Sequence, residues 1–264
     1  EGLPIGIKDE NLIKGKPTSS GSLIMKDFVA DRTSVGNERI MRAGRIVHAR
    51  TATPEFSAAF CTQSRLWGAT RNPWNPEFTP GGSSGGTAAS LAAGTSTIAS
   101  GSDIAGSIRN PAGCCGLVGY KPPYGRNSDD PPFNLDFYCH TGPLARNVSD
   151  AIALQNVMSG PHPQDIASLR PKLRLPTDYP PIKDWKIAFS MDLGFFEVDP
   201  DVQKNTLSAL NVFRDLGATV EEVDLGWDHS ALDAGLSYLS HIFGAYMATL
   251  YDDHADDMTT YVRE

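Results

Sequence analysis

Between Pro80 and Pro111 the chain reads PGGSSGGTAASLAAGTSTIASGSDIAGSIRNP. No other stretch limits the fold as tightly. Two serine-bearing glycine clusters, Gly81–Gly86 and Gly101–Ser107, bracket a run of small residues long enough for one helix and one strand. Glycine, without a Cβ, lets backbone turn tightly and approach a ligand closely. Two such loops, one helix and one strand apart, can bring Ser83 and Ser107 together amid backbone N–H groups. That layout suits acyl transfer, in which a hydroxyl attacks a carbonyl and amides hold the oxyanion.

The rest of the chain alternates helix and strand signals, the grammar of an α/β protein. Leu3–Ile7 reads as a buried strand ending at Lys8-Asp9, and Thr33–Ala43 as a helix closed by Gly44. Arg45–Ala49 is the next strand, and 62–80, with Pro73, Pro76 and Pro80, is loop. Gly85–Ala93 is a helix and Thr97–Ser100 a strand whose C-terminal end delivers the second glycine loop. Ser149–Ser159 is a helix with Ser149 as N-cap, followed by a proline-rich connection over 161–184. Lys186–Ser190 and Ala218–Val223 are strands around a helix opened by Asp199-Pro200, with an apolar face of Val202, Thr206, Ala209, Leu210, Phe213 and Leu216. Leu232, Leu236, Leu239, Phe243, Tyr246 and Leu250 stripe a last long helix, a pattern expected of core packing.

Composition narrows the function classes. The 264 residues, 40% hydrophobic and 20% charged, are those of a globular protein with room for one large domain or two small ones. A net charge of −8 argues against a nucleic-acid or anionic-membrane surface. No apolar run approaches the roughly 18 residues of a membrane helix. Cys61, Cys114, Cys115 and Cys139 have no CxxC spacing and read as free thiols of a reducing, cytoplasmic setting. The scattered histidines make no metal motif, and no cofactor is expected. The chain starts at Glu1, directly before an apolar strand, and is expected to be a fragment of a longer protein.

The first cluster also fits GxSxG around Ser83 and around Ser84, the nucleophile elbow of α/β-hydrolases, but that motif needs a strand directly before the serine. Pro76 and Pro80 oppose a central strand there. A flexible linker is disfavoured by the ordered-looking flanks. A phosphate loop lacks its GxxxxGK[ST] pattern.

Several segments in order carry a family resemblance. They are Gly6-Ile7-Lys8-Asp9, Pro54-Glu55-Phe56, Gly68–Trp74, Pro80–Gly86, Gly101–Pro111, Gly119-Tyr120-Lys121-Pro122 and Gly142–Arg146. Together they resemble the amidase signature family, serine hydrolases of amide bonds. The resemblance is dense over 1–160 and looser over 180–225. It implies a mixed β-sheet flanked by helices on both faces. It also implies a single catalytic domain over 1–264, lacking N-terminal helices and the C-terminal part of the family fold.

By position, the resemblance makes Ser107 the nucleophile, Ser83 the bridging serine in a cis peptide, and Lys8 the base. The chemistry agrees with that cast. A serine hydroxyl needs a base in reach, a buried lysine loses its proton more readily, and a hydroxyl can relay a proton because it both donates and accepts. The amides of Ile104, Ala105, Gly106 and Ser107 are the expected oxyanion donors. Ser84, Ser102, Asp103 and Arg109 are expected to brace the loops.

Two residues depart from the family pattern. Ala105 stands where the family has glycine, which is expected to distort the oxyanion hole if that position takes a positive φ. Ala52 replaces an asparagine and removes a wall hydrogen bond. The implied activity is hydrolysis of a small-molecule amide through an acyl-serine. An amidotransferase component of the same family and a non-catalytic binding or scaffold remnant are the alternatives, and a homodimer is left open.

Overall fold

Lys8 ends the strand that lies second from one edge of a five-stranded mixed sheet, and the strand order explains how distant segments reach it. The computed structural model describes residues 2–263. The elements are β1 (Pro4–Lys8), α1 (Val35–Arg42), β2 (Ile46–Thr51), β3 (Gln63–Ser64), β4 (Gly68–Ala69), α2 (Gly85–Ala92), β5 (Ile98–Asp103), α3 (Arg109–Cys115), β6 (Val118–Gly119), β7 (His140–Ala145), α4 (Val148–Met158), β8 (Lys186–Phe189), α5 (Pro200–Asp215), β9 (Thr219–Glu222), α6 (His229–His254) and α7 (Thr260–Arg263). They fall into two compact units, Glu1–Thr177 with Leu250–Glu264, and Asp178–Thr249.

In the first unit the sheet order is β2-β1-β5-β7-β6. β1 runs parallel to β2 and β5, while β7 runs antiparallel to β5 and β6. Side chains alternate across a strand, so neighbouring residues of β5 feed different cores. Ile98 joins Ile5, Ile7, Ile40, Leu154 and Met158, packing α1 and α4 on one face. Ala99 joins Ala88, Leu91, Ile108, Ala112 and Leu144, packing α2 and α3 on the other. The expected mixed sheet with flanking helices is therefore present.

Local details differ from the sequence reading. The N-cap of α4 is Asn147, not Ser149. Its side chain accepts from the Asp150 amide at 2.8 Å, whereas Ser149 lies inside the first turn. The segment 62–80 contains the short antiparallel pair β3–β4 rather than loop alone. Glu55, nearly fully buried, accepts from Ser22 Oγ and from the amide and hydroxyl of Thr259, each at 2.6 Å.

In the second unit β8 and β9 pair in parallel, with α5 as the crossover. Asp199 caps α5 as expected, its side chain accepting from the Asp201 amide. The apolar stripes of this region are not packed as core. Leu210 is the one buried residue of α5, and Val202, Phe213 and Leu216 are exposed. Along α6, Leu232, Leu236 and Tyr246 are exposed, Leu239, Phe243 and Leu250 are half-buried, and Met247 is buried. A periodic stripe states what a helix can bury, not what the fold sets against it. Among the described residues no helix is long and apolar enough to cross a membrane.

Candidate active site

The parallel strands β1 and β5 present their C-terminal ends at the same edge of the sheet, where open α/β sheets carry their sites. Their register pairs Ile7 with Ser100, so Lys8 stands beside the start of the second glycine loop. Gly101 is what lets the layers close here. A Cβ on it would stand 2.6 Å from Ser84 Oγ and 2.9 Å from Leu144 Cδ1.

Lys8 and Ser83, 75 residues apart, meet in the interior. Both are fully buried, and Lys8 Nζ donates to Ser83 Oγ at 2.6 Å. Lys8 Nζ also donates to Ser102 Oγ at 2.8 Å. The Gly82–Ser83 peptide is cis. Thr62 Oγ1 holds this loop by donating to the Gly81 carbonyl at 3.0 Å and accepting from the Gly85 amide at 3.0 Å. Asn110 Nδ2 donates to the Gly82 carbonyl at 3.2 Å. The loop then runs straight into α2 with no strand before Ser83, the opposite of a nucleophile elbow.

Ser107, 6% exposed, is tied to the first loop through the Ser84 amide, which donates to the Ser107 carbonyl at 3.1 Å. Ser84 Oγ in turn donates to the Ser102 carbonyl at 3.4 Å. Asp103 gathers the second loop around its carboxylate. It accepts from the amides of Gly106 (2.7 Å), Ile108 (3.1 Å) and Arg109 (3.2 Å), and from the Arg109 guanidinium at 3.0 and 2.9 Å. Lys121 Nζ lies 3.3 Å from the same carboxylate and donates to the Ile104 carbonyl at 2.9 Å.

This geometry corrects two expectations. The Gly106 amide is committed to Asp103, which leaves Ile104, Ala105 and Ser107 as candidate oxyanion donors. The positive φ of the loop, 122°, falls on Gly106, and Ala105 is not among the described non-glycine residues at positive φ. An alanine at 105 therefore does not strain the loop.

Burial pushes the Lys8 ammonium below its ordinary pKa, against an upward pull from Glu10. Burial alone would raise Asp103, but the Arg109 hydrogen bond, the Lys121 charge and the Gly106 amide hold it well below the usual carboxylate range. Glu10, which the sequence reading missed, stands 3.3 Å from Lys8 Nζ. Glu10 lies in the turn just past β1, outside the strand, so no strand or helix periodicity in the sequence points to it. Among the described residues no group of three or more His, Cys, Asp or Glu side chains could hold a metal, and all four cysteines are free thiols.

The mixed sheet thus sets a pair of serine-bearing glycine loops against a buried lysine. The sequence model of the Amidase family matches residues 1–264, and the chain belongs to the amidase signature family. A glutamyl-tRNA(Gln) amidotransferase subunit from Cyanothece sp. is 39% identical over 228 residues, covering 84% of this chain and 47% of that protein. The solved structure of a bacterial aryl acylamidase of the amidase signature family superposes with a TM-score of 0.89 at 31% identity, covering 98% of this chain and 57% of that one. The corresponding glutamyl-tRNA(Gln) amidotransferase subunit of Thermotoga maritima gives 0.78 at 31% identity, over 85% and 50%. The chain thus spans about half the length of the curated relatives it matches.

Proposed function

We propose that the protein hydrolyses a small-molecule carboxylic amide through an acyl-serine intermediate. Ser107 Oγ attacks the carbonyl carbon. Its proton passes to Ser83 Oγ as the Ser83 proton passes to Lys8 Nζ. The C–N bond breaks, the leaving nitrogen recovers that proton through the same relay, and ammonia or an amine departs. Water then attacks the acyl carbon and gives its proton to Lys8 through Ser83. The acyl C–O bond to Ser107 breaks, the proton returns by the same relay to Ser107 Oγ, and the acid is freed. The amides of Ile104, Ala105 and Ser107 are the donors for the oxyanion of each tetrahedral intermediate. The observation that carries the reading is the buried 2.6 Å hydrogen bond from Lys8 Nζ to Ser83 Oγ, one loop contact away from Ser107. Burial disfavours the charged ammonium and so favours the neutral amine, the form that can take a proton. The four free thiols suit a reducing, cytoplasmic setting.

A second reading, an amidotransferase component that passes ammonia to a partner, is favoured by the 39% identity to the Cyanothece protein. Acid release from a panel of small amides, with and without glutamine, separates the two in the intact protein. Hydrolysis of aryl or alkyl amides that Ser107→Ala lowers at least about a thousandfold supports the amidase. Turnover of glutamine alone supports the amidotransferase, and turnover of neither leaves the scaffold reading.

A further inference from the structure

Glu10 lies two residues beyond Lys8, and the reaction as drawn gives it no part. Its carboxylate stands 3.3 Å from Lys8 Nζ, and its side chain keeps 21% of its exposure. It accepts a hydrogen bond from Ser57 Oγ. Lys8 Nζ also donates to Ser102 Oγ at 2.8 Å. Glu10, Ser102 and Ser83 thus all reach the same amine. Lys8 also faces Asp103 and Cys139. Asp103 is occupied by Arg109 and Lys121, and burial pushes the Cys139 thiol up, so it stays neutral. Glu10 itself faces Arg50, which pairs with Asp9, and Asp129. Of the acids around Lys8, Glu10 is the carboxylate free to serve it.

We propose that Glu10 is a positioning residue of the amide hydrolysis, anchoring Lys8 against Ser83 and supplying the counter-charge for the ammonium formed when Lys8 takes the proton of Ser107. The proposal rests on the amidase reading above. In acylation the O–H bond of Ser107 breaks and one proton arrives, through Ser83, on Lys8. Glu10 stays a carboxylate throughout, and the proton returns by the same route to the leaving nitrogen. A buried ammonium without a partner is costly, and a carboxylate in contact with it offsets that cost. The same contact opposes the effect of burial on Lys8, so the lysine stays titratable instead of being locked neutral.

The test is the rate of Ser107 labelling by a fluorophosphonate as a function of pH, on the intact protein, with the label located by peptide mapping. Labelling needs neutral Lys8, so the rate rises with pH through the lysine's pKa. Glu10→Gln keeps the shape and removes the charge, and moves this rise to lower pH by at least about one unit. Glu10→Asp keeps the charge one methylene farther away, and moves it by a smaller amount in the same direction. Both variants label more slowly at their plateau. Thermal melts identify a variant that does not fold, in which case the other decides. A folded variant with a slower plateau but an unmoved rise overturns the proposal, because that is what a purely structural role gives. A wild-type protein whose Ser107 never labels overturns the amidase reading and the role of Glu10 with it. Wild-type labelling with unmoved variants overturns Glu10 alone.

Discussion

Asp103 illustrates how one side chain can shape a site without touching its reacting atoms. Fully buried, it binds three backbone amides and two cations, and so fixes the curve that carries Ser107. Removing its charge leaves those donors underserved. Asp103→Asn is expected to lower stability by about 2 kcal/mol at pH 7, read from urea denaturation. The sign of the pH dependence follows from its depressed folded pKa. An unfolded aspartate titrates near 3.9, so the stabilisation is complete above about pH 4 and is lost as pH falls towards the folded value. The gap between wild type and Asp103→Asn therefore closes below pH 4. Asp103 and Arg109 are legible as braces in the sequence because they flank the loop they hold. That the Gly106 amide is already taken is not legible there, because it depends on which oxygen the folded loop turns towards.

At the scale of elements, the site depends on β1, β5 and α2 packing closely enough for Lys8 to pass between them. Gly101 is one of the points of close approach. A Cβ there meets both Ser84 and Leu144 at under 3 Å, and both neighbours are fully buried. Gly101→Ala is expected to lower stability by about 1–3 kcal/mol, seen as a reduced melting temperature, and to slow any Ser107-dependent reaction by displacing Ser84. The elements themselves are largely legible in the sequence. Alternating Ile5 and Ile7, the small-residue helix and Asp199-Pro200 each state a local preference that the packing respects. The start of α4 is ambiguous because Asn147 and Ser149 are both good caps, and only the hydrogen bond to Asp150 distinguishes them. The stripe on α6 misleads because periodicity does not say what lies opposite.

At the scale of the whole molecule, contacts between distant segments decide what the chain can do. Tyr261 accepts from the Glu55 amide at 2.7 Å and donates to the Gln63 carbonyl at 2.8 Å, across about two hundred residues. Such pairings have no local signature and stay hidden in the sequence. The meeting of Lys8, Ser83 and the loop of Ser107 is equally long-range, yet it is legible because the spacing of motifs resembles a known family. Glu10, outside those motifs, is not. The most direct test of the account is fluorophosphonate labelling of the intact protein and of its Lys8→Met variant, with the modified serine located by peptide mapping. The account requires a single label on Ser107 in the wild type and at least about a hundredfold slower labelling without the lysine. A label on Ser84, or Ser107 labelling that is indifferent to the loss of Lys8, contradicts it.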